Sequence, residues 1–291
     1  MRVLSIGVLI SSVGLLAACG NSSQIVIGSK NFTEQVILGE LLAQAVERQA
    51  HLSVDRRLNL GGTLICHESI VSGQIDMYVE YTGTGLTAIL KQPVVNDPKK
   101  VYETVSAAYL NQFKVRWAEP LGFNNTFVIV VRPDDAAKLN LKTISDAVPH
   151  SRQWTAGFGY EFMEREDGFP GLAKLYGLSF ARAPRVMDLG LTYKALASGE
   201  VDVIAGDSTN GLIDALKLFP LEDDKHYFPP YDAVPLVRQE TLDRHPEIGK
   251  VLAALGGRIS EPEIRRMNLA VDGEKRSVPD VVREFLESKG L

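Results

Sequence analysis

Apolar positions along this chain follow two different periods, and each period predicts a different element. Short apolar runs bounded by glycine or polar residues, such as 25–27 and 127–131, predict buried strands. Segments in which apolar residues recur every three to four positions predict amphipathic helices, and a clear one over 36–46 follows the first strand. A strand that leads through a tight turn into a helix is typical of an α/β protein.

The same two periods predict the remaining elements. Further strands are expected at 54–58, 75–79, 154–158 and 201–205. Further helices are expected at 63–71, at 101–113, after 171, and at 191–197, 241–255, 261–270 and 278–286. One more helix is expected between the strand at 75–79 and about residue 90.

The first helix is preceded by a polar segment over 29–35. Asn31 and Glu34 have the three-residue spacing of a capping box, so we expect them to cap this helix. Ligands of parallel α/β lobes lie at strand carboxyl ends near helix N-termini, so the same segment is also placed to line a binding site.

A pattern that occurs twice organises the chain. Residues 72–86, SGQIDMYVEYTGTGL, and 198–212, SGEVDVIAGDSTNGL, share Ser, Gly, Asp, Gly and Leu at a constant offset of 126 residues. Each copy reads as a strand that runs into a polar turn. We therefore expect two lobes built alike, with Tyr81 and Asp207, the residues after the two strands, facing each other across a cleft.

Two turn-rich segments predict where the chain passes between these lobes. The segment 117–126, WAEPLGFNNT, precedes a strand of the second lobe, and 223–231, DDKHYFPPY, precedes the return. The predicted organisation is a first lobe over 20–118, a second lobe over 119–223, and completion of the first lobe by 224–291. Two crossings form a hinge, which is a device for closing around a ligand.

The N-terminus predicts export. Arg2 precedes an apolar run over 3–16, which has the length of a signal-peptide core, and the run ends in Leu-Ala-Ala-Cys19. Small residues before a cysteine resemble a bacterial lipobox, so 1–19 is predicted to be a lipoprotein signal peptide with Cys19 as the lipidation site; an ordinary signal peptide is the alternative. The mature protein would be exported and lipid-anchored at the cell membrane or in the periplasm. Cys66, in an apolar segment, is expected to be buried.

Charge and motifs narrow the function classes. The net charge of −5 argues against nucleic acid as a partner, because phosphate binding needs a concentrated basic face. The segment 83–88, GTGLTA, satisfies a dinucleotide-binding pattern only loosely, and 206–210, GDSTN, misses the nucleophile elbow of serine hydrolases. No phosphate-binding loop and no metal-site spacing of histidines is present. We predict no cofactor, no metal and no catalysis.

The polar and aromatic residues at strand ends and crossings suggest a ligand instead. They are Tyr81, Thr84, Asn125, Phe127, Asp207, Thr209 and Tyr231. Several aromatics with few polar groups suit a cation that cannot donate hydrogen bonds, such as trimethylammonium, since each π face contributes about 0.5–2 kcal/mol. Taken singly, each aromatic would be assigned to core packing.

These motifs together resemble one family over nearly the whole mature chain. The segments that carry the resemblance are 27–35 (IGSKNFTEQ), 59–63 (NLGGT), 80–85 (EYTGTG), 119–126 (EPLGFNNT), 223–225 (DDK) and 228–231 (FPPY). They resemble the substrate-binding proteins of ABC transporters for osmoprotectants and other quaternary ammonium compounds, such as glycine betaine, choline and carnitine. The resemblance implies a monomer with a two-lobed type II periplasmic-binding-protein fold, a ligand cleft between the lobes, and a membrane permease with a cytoplasmic ATPase as partner.

The resemblance also implies roles for individual residues. The aromatic cage would be formed by Tyr81, Phe127, Tyr231 and the position of Asp207. The remainder of the ligand would be served by Asn125, Thr84 and the region that includes Lys30 and Gln35.

Two of the cage positions depart from the betaine-binding pattern. Phe127 stands where a tyrosine is usual, and Asp207 stands where another aromatic is usual. The Asp207 carboxylate could pair with the ammonium, which favours choline, or accept from a ligand N–H, as ergothioneine would offer. An enzyme or a ligand sensor on the same scaffold is the alternative from another class.

Overall fold

The computed structural model describes residues 24–291, which form two five-stranded sheets flanked by helices. The first sheet contains β1 (Ile25–Lys30), β2 (Val54–Gly61), β3 (Met77–Tyr81), β4 (Val115–Trp117) and β10 (Ala233–Arg238). The second sheet contains β5 (Phe127–Val131), β6 (Ala156–Phe158), β7 (Arg185–Val186), β8 (Val203–Asp207) and β9 (Phe219–Leu221). We call each sheet with its helices a lobe.

Fourteen helices accompany these strands in the described part of the chain. Those of the first lobe are α1 (Thr33–Ala45), α2 (Thr63–Val71), α3 (Thr82–Thr84), α4 (Pro98–Phe113), α11 (Gln239–Arg244), α12 (Glu247–Leu255), α13 (Glu261–Asp272) and α14 (Val278–Lys289). Those of the second lobe are α5 (Pro133–Leu139), α6 (Ile144–Ser151), α7 (Tyr160–Glu164), α8 (Phe169–Tyr176), α9 (Leu189–Ala197) and α10 (Leu212–Ala215). None of them is long and apolar enough to cross a bilayer.

The two sheets have the same topology. The first has the order β2-β1-β3-β10-β4 and the second β7-β6-β8-β5-β9. In each, two parallel pairings are followed by two antiparallel ones, because β10 runs against β3 and β4, as β5 runs against β8 and β9. The antiparallel strands β5 and β10 are the ones that the chain enters directly after passing between the lobes.

Alternating residues of β3 divide the core of the first lobe into two layers. Met77 and Val79 pack with α1 and the C-terminal helices, whereas Tyr78 faces α2 and α4 with Trp117. Cys66 belongs to this second layer and is fully buried, as predicted. Burial raises the pKa of its thiol to about 12, so the thiol behaves as a small apolar group.

The repeated sequence pattern folds into two matching corners. Helices α2 and α9 end at Ser72 and Ser198, and the next residues, Gly73 and Gly199, have left-handed φ angles of 77° and 79°. Glycine adopts this conformation without the penalty that a side chain brings. The repeated serine and glycine therefore specify where each helix stops and the following strand begins.

Three predictions about elements need correction. The capping box at α1 does not form, since the N-cap residue is Phe32 and no side chain caps the helix. The helix expected up to 90 is the short α3 followed by a π-helical turn over 85–89. The helix expected over 241–255 is two helices, because Pro246 cannot supply the N–H that would continue α11.

The chain leaves the first sheet after Trp117 and returns to it at Ala233. The predicted lobe limits at 118 and 223 stay predictions. The predicted lipidation site, Cys19, lies outside the described residues.

Candidate ligand-binding cleft

The ends of β3 and β8 meet the two crossings. Tyr81 is paired with Ala233 of β10, and Asp207 is paired with Phe127 of β5. The crossings are also joined to each other, since Asn124 Oδ1 accepts from the Tyr231 N–H at 2.6 Å. A backbone hydrogen bond from Asn125 to Tyr231 adds a second link, at 3.0 Å. These contacts fix Asn125, Phe127 and Tyr231 beside the two strand ends.

The carboxylate of Glu34 is the centre of the cleft. Its Oε1 accepts from Tyr81 Oη at 2.6 Å and Asn125 Nδ2 at 2.8 Å. Its Oε2 accepts from Thr209 Oγ1 at 2.5 Å and Asn268 Nδ2 at 2.9 Å. The donors come from both lobes and a crossing, and only 3% of Glu34 is exposed. A buried carboxylate needs such partners, so this network stabilises the joined lobes.

A second polar cluster comes from the segment between α7 and α8. Arg165 Nη2 donates to Asp167 Oδ2 at 2.5 Å and to Thr84 Oγ1 of the first lobe at 3.1 Å. The same Asp167 oxygen accepts from Tyr231 Oη and Thr87 Oγ1, both at 2.7 Å. Burial acts to raise the pKa of Asp167, but the charge and hydrogen bonds of Arg165 outweigh burial and hold this pKa below its usual value.

A third contact joins the lobes at the N-terminus of α2. Glu161 of α7 accepts from the backbone N–H of Thr63, and its other oxygen lies 3.2 Å from Thr63 Oγ1. A Cβ on the neighbouring Gly62 would lie 2.3 Å from the Glu161 carboxylate, so only glycine permits this approach. The carboxylate satisfies an N–H that no residue of the helix can satisfy.

Lys30 forms a buried ion pair with Glu80. Its Nζ is 2.5 Å from Glu80 Oε1, and the two side chains are 2% and 0% exposed. The ammonium also lies 5.1 Å from the centre of the Tyr81 ring. Burial raises the pKa of Glu80, and Lys30 opposes that shift. The charge of Lys30 is therefore already balanced inside the first lobe.

Aromatic rings gather on the second-lobe side of the cleft. Phe127 lies 5.7 Å from Tyr231 in an edge-to-face arrangement and 5.8 Å from Phe228, measured between ring centres. The Arg165 guanidinium carbon is 5.4 Å from the centre of Phe127. Tyr81, stacked on Phe32 at 6.5 Å, forms the corresponding wall on the first lobe. The rings of Tyr81 and Phe127 each approach a cation, a contact that π faces favour.

Asp207 differs from every other acid of the cleft. Its backbone N–H donates to Tyr193 Oη at 2.8 Å, but its carboxylate has no hydrogen-bond partner within residues 24–291. Burial, with the nearby charge of Glu34, raises the pKa of this carboxyl to about 7.

The eight residues to which the resemblance assigns roles are found around these clusters, and so is the further candidate Thr209, which donates to Glu34. Tyr81 and Asn125 contact Glu34, and Thr84, Phe127 and Tyr231 surround Arg165 and Asp167. The others are Lys30, Gln35 and Asp207. Lys30 is paired with Glu80, and Gln35, which follows Glu34 in the sequence, is fully buried. Their roles in ligand binding stay a prediction.

Sequence reasoning missed several of the residues that join the lobes. Glu34 was assigned to capping because its spacing from Asn31 imitates a capping box. Asn268 could have been noticed as a polar residue on the buried face of α13, next to Met267. The dense charges over 161–167, EFMERED, were the available signal for Glu161, Arg165 and Asp167.

Comparison with known families settles the class of this protein. The family described as the OpuAC substrate binding domain of ABC-type glycine betaine transport systems matches residues 23–288. The chain belongs to this family. As a member of the OpuAC family it is a substrate-binding protein and not an enzyme, and the predicted function class is confirmed.

Individual relatives agree with this assignment. The chain is 36% identical to the carnitine transport binding protein OpuCC of Listeria monocytogenes, over 98% of this chain and 93% of that protein. It is also 36% identical to the ergothioneine transport permease/ergothioneine binding protein EgtU of Helicobacter pylori, over 92% of this chain and 48% of that protein.

Among solved structures, a glycine betaine/carnitine/choline ABC transporter protein matches with a TM-score of 0.76 and 34% identity, over 92% of this chain and 99% of that one. The predicted type II periplasmic-binding-protein fold is thereby confirmed.

Proposed function

We propose that this OpuAC-family protein is an extracytoplasmic solute-binding lipoprotein that captures a quaternary ammonium compound between its lobes. The observation that carries the proposal is the arrangement of Tyr81, Phe127 and Tyr231 beside an Asp207 carboxylate that is unpaired among the described residues. Aromatic faces and a nearby negative charge attract a cation that has no hydrogen bonds to give. The relatives named for carnitine and ergothioneine support the same ligand class.

Closure of the lobes would couple ligand binding to transport. The hydrogen bonds that cross between the lobes include Thr209 to Glu34, Arg165 to Thr84, Tyr231 and Thr87 to Asp167, and Thr63 to Glu161. Because these contacts require both lobes, they stabilise only the closed form. A ligand held by aromatics of both lobes adds its binding energy to the same form and shifts the population towards it. The closed form then delivers the ligand to an ABC permease driven by a cytoplasmic ATPase.

Titration calorimetry of the full chain in mild detergent tests the ligand class. Glycine betaine, choline, carnitine, proline betaine and ergothioneine are titrated separately, with ammonium chloride as a control that lacks methyl groups. At least one quaternary compound should bind in the micromolar range or tighter. If none binds, the proposal is wrong.

The anchor proposed at Cys19 has its own test. Cells that express the full chain are fed radiolabelled palmitate, and the protein is recovered from the membrane fraction. The parent protein should carry label, whereas Cys19→Ala should carry none and leave the membrane fraction. Equal labelling of both would refute lipidation at this cysteine; Cys66→Ala is the matched control, because Cys66 is fully buried.

A further inference from the structure

Large apolar side chains are unevenly exposed on the surface of this protein. Among residues 24–291, the other exposed ones, such as Val94 and Leu175, are 37–45% exposed, whereas five are 51–64% exposed. These five are Leu64, Ile65, Tyr160, Val186 and Leu191. Single apolar residues scattered over a surface are normal, but several that adjoin one another mark a surface where another molecule binds. The backbone contacts around the five decide which case applies.

A hydrogen bond between the lobes brings three of them together. The Thr63 N–H, at the start of α2, donates to the carboxylate of Glu161 in α7. Leu64 and Ile65 follow Thr63 in the first turn of α2, and Tyr160 directly precedes Glu161. The exposed apolar residues of α2 and α7 therefore adjoin across the boundary between the lobes.

The other two adjoin the start of α7 within the second lobe. Val186 of β7 is paired with Phe158, the last residue of β6. A Cβ on Gly159, the next residue, would lie 2.6 Å from the Leu189 side chain, so the first turn of α9, with Leu191, begins beside α7. The five side chains thus form one surface, which we call the mouth patch.

The mouth patch lies on the side of the cleft that faces away from the crossings. In each sheet the outer parallel strand, β2 or β7, is on one side of the central strand, and the strand that the chain enters from a crossing, β10 or β5, is on the other. The patch follows the carboxyl ends of β2, β6 and β7, at the same sheet edges as the ends of β3 and β8. It therefore surrounds the open side of the cleft, where ligand enters and leaves.

We propose that the mouth patch is the surface through which the closed protein docks on its permease, against an apolar surface of that membrane protein. This inference rests on the proposed function and names the contact surface for delivery. The patch is continuous with the contact between the lobes, so it is complete only when the lobes are closed. A permease that receives ligand has to cover the open side of the cleft and has to distinguish the closed form from the open one. A surface built from both lobes at that opening meets both requirements.

Transport and ligand binding are affected differently if the patch docks the permease. Leu64→Gln is combined with Leu191→Gln, one change in each lobe. The quaternary compound that the parent binds most tightly in calorimetry is then radiolabelled, and its uptake is measured in cells that carry the full chain with its permease. Ligand affinity of the double variant should stay within twofold of the parent, because the changed side chains are exposed. Uptake should fall at least tenfold.

The matched control also has one exposed apolar residue changed in each lobe. Val94→Gln is combined with Leu175→Gln, at two sites beside the second crossing. This control should bind and transport like the parent. If the parent binds ligand and the mouth-patch variant transports it as well as the control does, this inference fails and the proposed function stands. If no quaternary compound binds the parent, both fail.

Photocross-linking identifies what covers the patch. Benzoylphenylalanine is placed at position 191 or, as the control, at position 175 of the full chain in its own membrane, and cross-linked partners are identified by mass spectrometry. Position 191 should cross-link to the permease, more strongly with ligand than without it, and position 175 should not. Cross-links from position 191 to a second copy of this chain or to lipid, with none to the permease, would overturn the inference. An equal yield with and without ligand would overturn recognition of the closed form.

Discussion

The two lobes share one scaffold and differ where they meet the cleft. The residue Asp76 accepts from the Val26 N–H at 2.8 Å, and Asp202, at the matching place in the second lobe, accepts from the Thr155 N–H at 2.8 Å. In each lobe the aspartate therefore links the start of the central strand, β3 or β8, to the neighbouring parallel strand, β1 or β6. At the other end of the same strands, β3 supplies the buried aromatic Tyr81 and β8 supplies the carboxylate of Asp207.

This contrast shows which repeated residues are constrained by the fold. The serine, glycine and aspartate before each strand are retained because one backbone geometry is built twice. The last residues of the two strands, Tyr81 and Asp207, lie at the cleft, where the shared backbone geometry does not require the same side chain. We propose that this asymmetry of the two strand ends determines ligand specificity.

The buried ion pairs differ between the lobes in the same way. Lys30 and Glu80 both belong to the first lobe, so their pair exists in the open and closed forms alike. Arg165 and Asp167 belong to the second lobe but bond with Thr84, Thr87 and Tyr231 outside it. We expect the first pair to control folding and the second to control closure.

The largest effect should come from breaking the first pair. Glu80→Gln leaves the Lys30 ammonium buried without a counter-charge and should lower the free energy of unfolding by about 3–5 kcal/mol, measured by urea denaturation. Asp167→Asn is the matched change, and it should cost less stability because Arg165 retains Glu161 at 3.6 Å. Asp167→Asn should instead weaken ligand binding. Greater loss of stability in Asp167→Asn would contradict the division of roles.

The next effect depends on pH and tests Asp207. The folded protein holds the pKa of this carboxyl near 7, above its ordinary value of about 4. Between pH 4 and pH 7 the folded protein keeps a proton on Asp207 that the unfolded chain has released. The contribution of this carboxyl to the free energy of unfolding is therefore fully present below pH 4 and is lost as the pH rises to 7. Asparagine imitates the protonated acid. Asp207→Asn should equal the parent at pH 4 and exceed it at pH 8 by about 2–4 kcal/mol in unfolding free energy.

Stability curves from pH 4 to 8 decide this point. Asp134→Asn, on the exposed surface of the same lobe, should follow the parent curve throughout. If Asp207→Asn also follows it, the carboxylate is solvated and ionised in the folded protein, and the contrast between the strand ends is weaker than we describe.

The sequence was sufficient to predict the scaffold but not the contacts between lobes. The offset of 126 residues and the two turn-rich crossings indicated two alike lobes, because backbone geometry depends on local residues such as Gly73 and Gly199. The role of Glu34 could not be predicted, since its donors lie 47 to 234 residues away along the chain. Its spacing from Asn31 indicated a cap, and the position of the segment 29–35 after a strand indicated a binding site without indicating the partners of Glu34.

A smaller effect is expected at the shared aspartates. Asp76→Ala and Asp202→Ala each leave a backbone N–H without its acceptor and should lower the free energy of unfolding by about 1–3 kcal/mol. Each aspartate has one further partner, since Thr241 donates to Asp76 at 2.6 Å and Arg132 donates to Asp202 at 2.9 Å. The loss should be larger for Asp76, because its side chain is 11% exposed and that of Asp202 is 33% exposed. Urea denaturation of both variants tests this order. Loss in only one lobe would show that the two aspartates do not have equivalent roles.

The smallest effect separates closure from stability at Glu34. Thr209→Val removes a donor that reaches Glu34 from the second lobe, whereas Tyr81→Phe removes one within the first lobe. Because Glu34 keeps three other donors, each loss is about 1–1.5 kcal/mol. For Thr209→Val this free energy is lost only on closing, so ligand affinity should fall about tenfold while the urea midpoint of the ligand-free protein stays unchanged. For Tyr81→Phe the midpoint itself should fall. If Thr209→Val lowers the midpoint as much as Tyr81→Phe does, the lobes of the ligand-free protein are held together by Glu34, and this carboxylate contributes to folding as much as to ligand capture.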